Sequence, residues 1–214
     1  MGKFVASYSG GKDGAFAIYK AMERGMVPLA LITTFNEEQN RSWFHRVPEA
    51  VLEDAADSIG VPLRLIKTVG DDYETNFEAA LRDAKEKGAD ACVFGDIDIE
   101  EHIGWCSKRC ANAGIEPLFP LYGQSRENVV NGFIESGFTA YITIINTDKL
   151  SGDLLGKRFT KEAVSEIKAQ GADICGENGE YHTFVIDGPI YRRPVAFSFG
   201  EGFMKDKRVY LPVD

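Results

Sequence analysis

The chain has 214 residues, 44% of them hydrophobic and 27% charged, a composition that excludes disorder and low-complexity repeats. Its 24 basic and 33 acidic residues give a net charge of −9, which argues against nucleic acid or an anionic membrane as a partner. Neither a signal peptide nor an apolar run of membrane-spanning length is found, and the four cysteines are expected to be thiols. We therefore expect a cytoplasmic protein without a membrane segment.

The first 120 residues alternate between strand-like and helix-like patterns. Strands are predicted at 3–8, 27–34, 63–69, 91–94 and 117–119, with one helix between each pair of successive strands. A long polar loop at 35–47 separates the second strand from the helix that follows it. Asp72 stands where it can cap the third helix. This alternation predicts a Rossmann-like α/β fold, in which helices sandwich a parallel sheet and ligands bind at the carboxyl ends of the strands.

The pattern loosens after residue 122, and we expect a smaller α+β region there. Helices are predicted at 125–136 and 161–170, and strands at 139–145, 184–186, 195–199 and 209–211, with the tip of a hairpin at 205–208. The predicted organisation is a larger domain over residues 1–122, with the expected ligand site, and a smaller domain over residues 123–214.

The segment Ser9-Gly10-Gly11-Lys12-Asp13-Gly14 lies between the first predicted strand and the first helix. Glycines allow a tight turn whose N–H groups face inward, the helix N-terminus adds partial positive charge, and Lys12 can neutralise an anion. The segment is therefore predicted to bind phosphate. It fits neither a Walker A loop, because Ala6 and Asp13 stand where that motif needs Gly and Ser or Thr, nor the dinucleotide-binding fingerprint, because Lys12 breaks the glycine spacing.

This SGGKD segment after the first strand resembles the pyrophosphate loop of the adenine-nucleotide alpha-hydrolase superfamily, the N-type ATP pyrophosphatases. The resemblance implies a HUP-type Rossmann-like fold and an enzyme that adenylates a carboxylate or carbonyl and releases pyrophosphate. The loop usually closes with Ser, whereas this chain has Gly14. One hydroxyl donor to phosphate is missing, and the backbone donors remain.

A second polar segment, Cys175–Phe184, has the sequence CGENGEYHTF. It places two carboxylates, an amide and an imidazole directly before a predicted strand, which suits proton transfer or metal binding. A solvated loop that leads into the strand is the alternative, and the residue types alone do not decide between the two.

Other candidate residues have structural alternatives. Cys106 and Cys110 share the apolar face of one helix, which favours burial in the core, although a Cys-x₃-Cys pair could also carry sulfur or a metal. His45 follows the second strand near the expected nucleotide site, and His102 lies beside two glutamates. Each histidine is either functional or simply at the surface.

The segment GENGEYHTFV with DGP after it resembles the C-terminal signature of the diphthine–ammonia ligase family, the ATP-dependent amidases of diphthamide synthesis. Further similar landmarks occur in the same order, namely GDI at 95–97, PLFPLY at 117–122 and LLGK at 154–157, so the resemblance spans almost the whole chain. The chain differs from archaeal and eukaryotic members at 101–105, and its loop at 41–48 looks closer to bacterial relatives.

The family resemblance implies an AMP-forming carboxylate–ammonia ligase that uses ATP and Mg²⁺. The implied ATP-binding residues are Ser9, Gly10, Gly11, Lys12, Asp13 and Gly14 around the phosphates, and Thr33, Thr34, Gly95 and Asp96 around the adenosine. The implied catalytic residues are Lys12, Asp13, Glu177, Asn178, Glu180 and His182, with Thr183 beside them and with Asp13 as the metal ligand.

The partners implied by the resemblance are ATP, ammonium and a carboxylate acceptor, for which a modified histidine on a translation factor is one candidate. A homodimer is compatible with the sequence. Two other functions stay open at this point. The same loop with Cys106 and Cys110 fits an enzyme that thiolates or modifies tRNA, and the Gly14 departure fits a nucleotide-binding protein without turnover.

Overall fold

The computed structural model describes residues 2–214 and confirms the predicted α/β architecture. The strands are β1 Lys3–Ser7, β2 Val27–Asn36, β3 Arg41–Ser42, β4 Leu63–Thr68, β5 Ala91–Val93, β6 Glu116–Leu118, β7 Thr139–Asn146, β8 Tyr181–Asp187, β9 Phe203–Lys205 and β10 Arg208–Tyr210. The helices are α1 Lys12–Glu23, α2 Glu49–Ile59, α3 Tyr73–Glu86, α4 Glu100–Ala113, α5 Arg126–Glu135 and α6 Lys161–Ala169. Within residues 2–214, no helix combines the length and the apolarity needed to cross a lipid bilayer.

The first sheet has the strand order β3-β2-β1-β5-β6, and β4 also pairs with β2. Apart from β3, its strands run parallel, as the alternating sequence predicts. Val5 belongs to the core beneath α3 and α4, whereas Phe4 and Ala6 belong to the core beneath α1 and α2. Successive side chains of a strand point to opposite faces, so both faces of this sheet are covered by helices.

The second sheet is antiparallel, with the order β8-β7-β10-β9, and it forms the smaller α+β region that the sequence predicts. Its core is continuous with that of the first sheet. Phe16 of α1 meets Phe133 of α5 edge to face at a centroid distance of 6.2 Å, and buried Phe184 of β8 belongs to the same cluster. This shared core fixes the start of β8 against the start of α1.

The predicted polar loop at 35–47 is wrong in one respect, because it contains the short strand β3. The antiparallel partner of β3 is the end of β2, at Phe35 and Asn36. At these residues β4 occupies one edge of β2. The strand β3 therefore pairs with the opposite edge, the one that β1 occupies earlier along β2, and it lies beyond the carboxyl end of β1. This pairing carries residues 43–47 over the loop that follows β1. The signal for it is weak, because β3 has only two residues.

The strand predicted at Val195–Phe199 is also wrong. The N–H of Val195 donates to Ile186 O, whereas Ser198 exchanges backbone hydrogen bonds with Asp214. The segment is apolar because Val195 and Phe197 pack into the core. Its backbone partners are β8 at one end and Asp214 at the other, so no continuous ladder to one neighbouring strand forms.

The hairpin tip predicted at 205–208 is confirmed, although β9 at its first arm is missed by the sequence pattern. Asp206 and Lys207 adopt positive φ angles of 48° and 61°, which suit a tight two-residue turn. Asp72 does lie at the N-cap of α3, but its carboxylate makes no capping bond to the helix. It accepts hydrogen bonds from the N–H of Val69 and from the side chain of Asn76.

Candidate active site

The loop between β1 and α1 leaves the start of the helix open to a ligand. Gly11 occupies the N-cap of α1, and having no side chain it caps none of the helix N–H groups. Gly10 has a φ of +88°, and a Cβ there would lie 2.9 Å from the ring of Phe184. Both the conformation and the close approach therefore require glycine at position 10. A helix N-terminus whose N-cap residue has no side chain, beneath a glycine turn, is suited to hold an anion.

Three contacts tie this loop to the C-terminal region. The N–H of Val185 donates to Gly10 O at 2.8 Å, and the N–H of Lys12 donates to Thr183 Oγ1 at 3.1 Å. The Lys12 ammonium donates to the carbonyl of Cys175 and lies 2.7 Å from the Asp13 carboxylate. The two predicted motifs, which are more than 160 residues apart in sequence, are thus one structural unit.

A cavity of about 520 Å³ opens at the carboxyl ends of β1 and β5. Its polar end is lined by the loop after β1 and by two residues of the C-terminal motif, Glu177 and His182. Its other end is aromatic. The lining residues are Ser7, Ser9, Gly11, Asp13, Gly14, Phe44, His45, Tyr73, Glu74, Phe77, Phe94, Gly95, Asp96, His102, Trp105, Cys106, Glu177 and His182.

Three carboxylates share the polar part of the cavity. Burial, and secondarily the charge of Asp13, raises the pKa of Glu177 from 4.5 to about 7. Burial likewise raises the pKa of Asp96, with a smaller contribution from Asp13. Two carboxyl groups whose pKa is raised, with Asp13 as a contributor to both, lie together beside the loop after β1, an arrangement that favours a bound cation. Among residues 2–214 no three His, Cys, Asp or Glu side chains converge on one metal position.

Two neutral histidines lie above the loop. The rings of His45 and His182 meet edge to face at 4.9 Å. Burial lowers the pKa of His182 to about 4, with further contributions from Arg208 and Lys12. Burial also lowers the pKa of His45 well below its ordinary value. Both imidazoles are therefore uncharged at neutral pH and act as hydrogen-bonding groups.

The aromatic end of the cavity is built by α3 and α4. The ring of Trp105 lies 5.8 Å from that of Tyr73 and 5.5 Å from that of Phe77, measured between centroids. The indole N–H donates to Glu74 at 3.0 Å, and buried Arg109 pairs with the same carboxylate. This arrangement presents flat apolar surface beside a fixed hydrogen-bond acceptor.

The structure brings eight of the predicted site residues to the cavity lining. These are Ser9, Gly11, Asp13, Gly14, Gly95, Asp96, Glu177 and His182. Gly10 and Lys12 lie behind the loop surface and shape it. Their roles toward a ligand, like those of the lining residues, stay predictions.

Four further predicted residues do not line the cavity. Thr33 is buried with its hydroxyl bonded to Tyr8 O, and Thr34 accepts a hydrogen bond from the hydroxyl of Tyr73. Glu180 is buried and accepts from the N–H of Asn178 at 3.0 Å, so that these two residues shape the turn that carries Glu177. A direct contact of these four residues with a ligand stays a prediction.

Sequence reasoning missed the aromatic residues and Glu74. Tyr73 and Phe77 lie at helical spacing with other apolar residues, which is the signal of a helix face packed on a core. The first turn of α3 extends past the sheet edge, so this end of the face lines the cavity instead. Only the position of α3, directly after a strand of the parallel sheet, could have indicated this.

Gly14 lies in the first turn of α1, where a Cβ would meet nothing closer than Ser7 O at 3.5 Å. We expect Gly14→Ala to raise the free energy of unfolding by about 0.5–1 kcal/mol, because alanine loses less backbone entropy in a helix. Urea denaturation measures this. Gly95→Ala is the contrasting variant, since its Cβ would lie 2.6 Å from the backbone of Asp13, and it should destabilise the protein. Equal effects of the two changes would contradict the expectation.

Comparison with known proteins gives a family for the whole chain. The family model described as the diphthamide synthase N-terminal domain matches residues 2–117, and that of the diphthamide synthase C-terminal domain matches residues 125–213. A protein of Mus musculus named diphthine–ammonia ligase is 22% identical over 99% of this chain and 88% of its own length. One of the same name from Danio rerio is 24% identical over 99% of this chain and 92% of its own length.

Among solved structures, one described as a predicted subunit of tRNA methyltransferase from Methanocaldococcus jannaschii is similar. It has 15% sequence identity and a TM-score of 0.47, and the match covers 86% of this chain and 96% of that one. The two family models together extend from residue 2 to residue 213, across both sheets and both motifs. The chain therefore belongs to the diphthamide synthase family.

Proposed function

We propose that this protein is an ATP-dependent amide ligase that adenylates a carboxylate and transfers ammonia to it, releasing AMP and pyrophosphate. The observation that carries the proposal is that the loop after β1 and the C-terminal motif line one cavity, through Gly11 and Asp13 on one side and Glu177 and His182 on the other. Family membership supports it, since the relatives are named diphthine–ammonia ligases.

The triphosphate of ATP is proposed to lie on the loop of residues 9–14, at the open N-terminus of α1. Mg²⁺ with Asp13 as ligand would neutralise charge on the leaving pyrophosphate. The three carboxylates fit such a cation, because an ATP tetra-anion alone would be repelled by them. The adenosine would lie past Gly95 and Asp96, where the aromatic end of the cavity offers a stacking surface.

In the first step an oxygen of the acceptor carboxylate attacks the α-phosphorus, and the bond to the bridging oxygen of pyrophosphate breaks. In the second step ammonia attacks the acyl carbon, the bond from that carbon to AMP breaks, and nitrogen loses one proton. Glu177 is the proposed base for this proton. His182, uncharged and beside it, is proposed to orient the acceptor by hydrogen bonding. Catalysis then depends on positioning and charge neutralisation.

The acceptor is proposed to be a carboxylate of diphthine, the compound in the name of the relatives, and the family resemblance implies that it is a modified histidine on a translation factor. The net charge of −9 disfavours nucleic acid in that role. The four free thiols suit the reducing cytoplasm, where such an acceptor would be met. A homodimer stays a prediction.

The proposal is tested with purified protein, Mg²⁺, labelled ATP, ammonium chloride and a translation factor that carries diphthine. We expect AMP and pyrophosphate to form in equal amounts, together with one amide per AMP. Omission of the acceptor should abolish AMP formation. The appearance of ADP and phosphate in place of AMP and pyrophosphate would refute the ligase reaction.

Replacing Trp105 by Ala should weaken ATP binding by about 1–3 kcal/mol if adenine stacks in the aromatic end of the cavity. The affinity for inorganic pyrophosphate should not change, because that ligand reaches only the polar end. Calorimetric titration with each ligand measures the difference. A Trp43→Ala variant serves as the control, since Trp43 contacts Tyr73 but does not line the cavity. Equal ATP affinity in wild type and Trp105→Ala would exclude this site for adenine.

The competing function in tRNA thiolation receives little support. Cys106 does line the cavity, but burial and the neighbouring Asp96 raise the pKa of its thiol well above the ordinary value. Cys110 is fully buried in the core. The reactive form of cysteine is the thiolate, so Cys106 is not prepared to carry sulfur, and Cys110 is out of reach of a substrate.

A further inference from the structure

A second, smaller cavity of about 60 Å³ lies against the main one. Its lining includes Arg41, His45, Arg46, Thr143 and Tyr210. His45 lines both cavities and therefore forms part of the wall between them. Nothing in the ligase mechanism given above uses the smaller cavity.

Two buried polar atoms on residues that line the smaller cavity have no hydrogen-bond partner among residues 2–214. They are Nδ1 of His45 and Oγ1 of Thr143. Thr143 is only 3% exposed, so solvent does not satisfy its hydroxyl. Buried polar groups almost always have a partner, and two unpartnered atoms on residues that line one small cavity therefore indicate a small molecule, water or a ligand, that bonds to them there.

The position of Thr143 comes from a break in strand pairing. Ile142 pairs with Thr183 and Ile144 pairs with His182, so Thr143 is an extra residue on β7 with no partner on β8. Such a bulge re-aims the side chain of the extra residue, and bulges are common beside active sites. Here the bulge lies opposite two residues of the C-terminal motif.

The orientation of His45 is fixed by the phosphate-binding loop. A Cβ built on Gly11 would lie 2.4 Å from Nε2 of His45, and the two ring carbons next to Nε2 are the next nearest atoms. The Nε2 tip therefore faces Gly11, and Nδ1 lies toward the back of the ring. The strand β3 supports this arrangement, because its pairing with β2 carries the loop with His45 over Gly11.

The chemistry of the cavity selects a small, neutral ligand. A volume of 60 Å³ admits only a few molecules of the size of water. Two arginines and no acidic residue line it within the described chain, although Arg41 also pairs with Asp214 at 3.0 Å. A cation such as ammonium is disfavoured there, whereas neutral ammonia can donate to both unpartnered atoms.

We propose that this cavity binds the ammonia that the ligase reaction consumes, between Nδ1 of His45 and Oγ1 of Thr143. The proposal rests on the proposed function. Ammonium leaves its proton to bulk solvent on entry, and ammonia passes the wall formed by His45 into the main cavity. Its lone pair then attacks the acyl carbon, the bond to AMP breaks, and the proton released by nitrogen is taken up by Glu177.

A binding test does not depend on catalysis. The chain has three histidines, so ¹⁵N-histidine NMR resolves each ring, and the His45 signals are assigned by their loss in a His45→Asn variant. Ammonium chloride at mildly alkaline pH should shift the Nδ1 resonance of His45 in a saturable way, while potassium chloride should not. The shift should persist in Thr143→Ser, which keeps the hydroxyl, and disappear in Thr143→Val, which keeps the shape. If potassium chloride shifts the Nδ1 resonance in the same way, the cavity holds water only and the proposal is overturned. A shift with ammonium chloride that persists in Thr143→Val would overturn it as well.

A kinetic test uses the ligase assay. Thr143→Val should raise the KM for ammonium about ten-fold, the value expected for one lost hydrogen bond, and leave the KM for ATP unchanged. Thr143→Ser should behave as wild type. If AMP forms but the KM for ammonium is the same in all three proteins, the ammonia site is refuted and the ligase function stands. If no protein forms AMP, the ligase function fails, and the NMR titration alone decides whether ammonia binds.

Discussion

Replacing Glu177 by Gln should lower kcat for amide formation by about 10²–10⁴-fold, the usual contribution of a positioned general base. Glutamine has the same shape but cannot accept the proton that ammonia releases. The affinity for ATP should stay equal or increase, because one negative charge beside Asp13 and Asp96 is removed. Steady-state kinetics at saturating ATP and ammonium separate the two effects.

Glu201→Gln is the matched control, because that residue is exposed on a loop far along the chain from the site and does not line the cavity. It should leave kcat unchanged. If Glu177→Gln retained kcat within two-fold while amide was formed, the proton of ammonia would have to leave by another group, and the proposed role of Glu177 would be wrong.

The same variant changes the pH dependence of stability in the nucleotide-free protein. The pKa of Glu177 is about 7 in the folded protein against 4.5 in the unfolded chain, so the folded state binds more protons between these values. The contribution of Glu177 to the free energy of unfolding therefore falls by about 2 kcal/mol as the pH rises from 4.5 to 7, after allowance for partial exposure. Above pH 7 this contribution is constant. Glu177→Gln should lack this fall, which denaturant titrations across the range would measure.

The sequence predicts the fold well because its signals are local. Continuous apolar runs such as 27–34 mark parallel strands buried on both faces, and the glycine cluster after β1 marks a turn at a helix start. The errors occur where pairing is set from a distance. The strand β3 exists because the end of β2 has a free edge beyond the end of β1. The segment that begins at Val195 is not a strand because its hydrogen bonds go to β8 at one end and to Asp214 at the other.

Residue types in the sequence indicated the residues at the polar end of the cavity but not those at its aromatic end. Glycine, lysine and carboxylates in short motifs have few structural uses, so Asp13 and Glu177 stand out from the amino-acid sequence alone. Tyr73 and Trp105 look like core residues, because the sequence does not say where a helix passes the edge of the sheet. Likewise, nothing in the sequence around Thr143 indicates the bulge that leaves it without a partner on β8.

Replacing Lys12 by Met should lower the free energy of unfolding by about 3 kcal/mol, the cost of breaking a buried ion pair by removing one partner. The Lys12 side chain is 4% exposed, and its ammonium bonds to the Asp13 carboxylate and to the carbonyl of Cys175. Methionine fills a similar volume but leaves both oxygens without their donor. Because the bond to Cys175 holds the loop after β1 to the C-terminal motif, ATP affinity should also fall more than ten-fold. Urea denaturation and calorimetric titration below the unfolding transition measure the two quantities.

Lys20→Met on the same helix is the control, since Lys20 pairs with Glu23 at the surface and such pairs contribute less than about 1 kcal/mol. A double mutant cycle with Asp13→Asn then separates the two bonds of Lys12. If the ion pair carries the effect, Lys12→Met costs much less in the Asp13→Asn background than in wild type. If the bond to Cys175 carries it, the cost is the same in both backgrounds, because the carbonyl loses its donor in either case. A loss of stability no larger than that of Lys20→Met would mean that Lys12 does not join the two motifs, and any remaining loss of ATP affinity would then arise from a direct contact between the ammonium and phosphate.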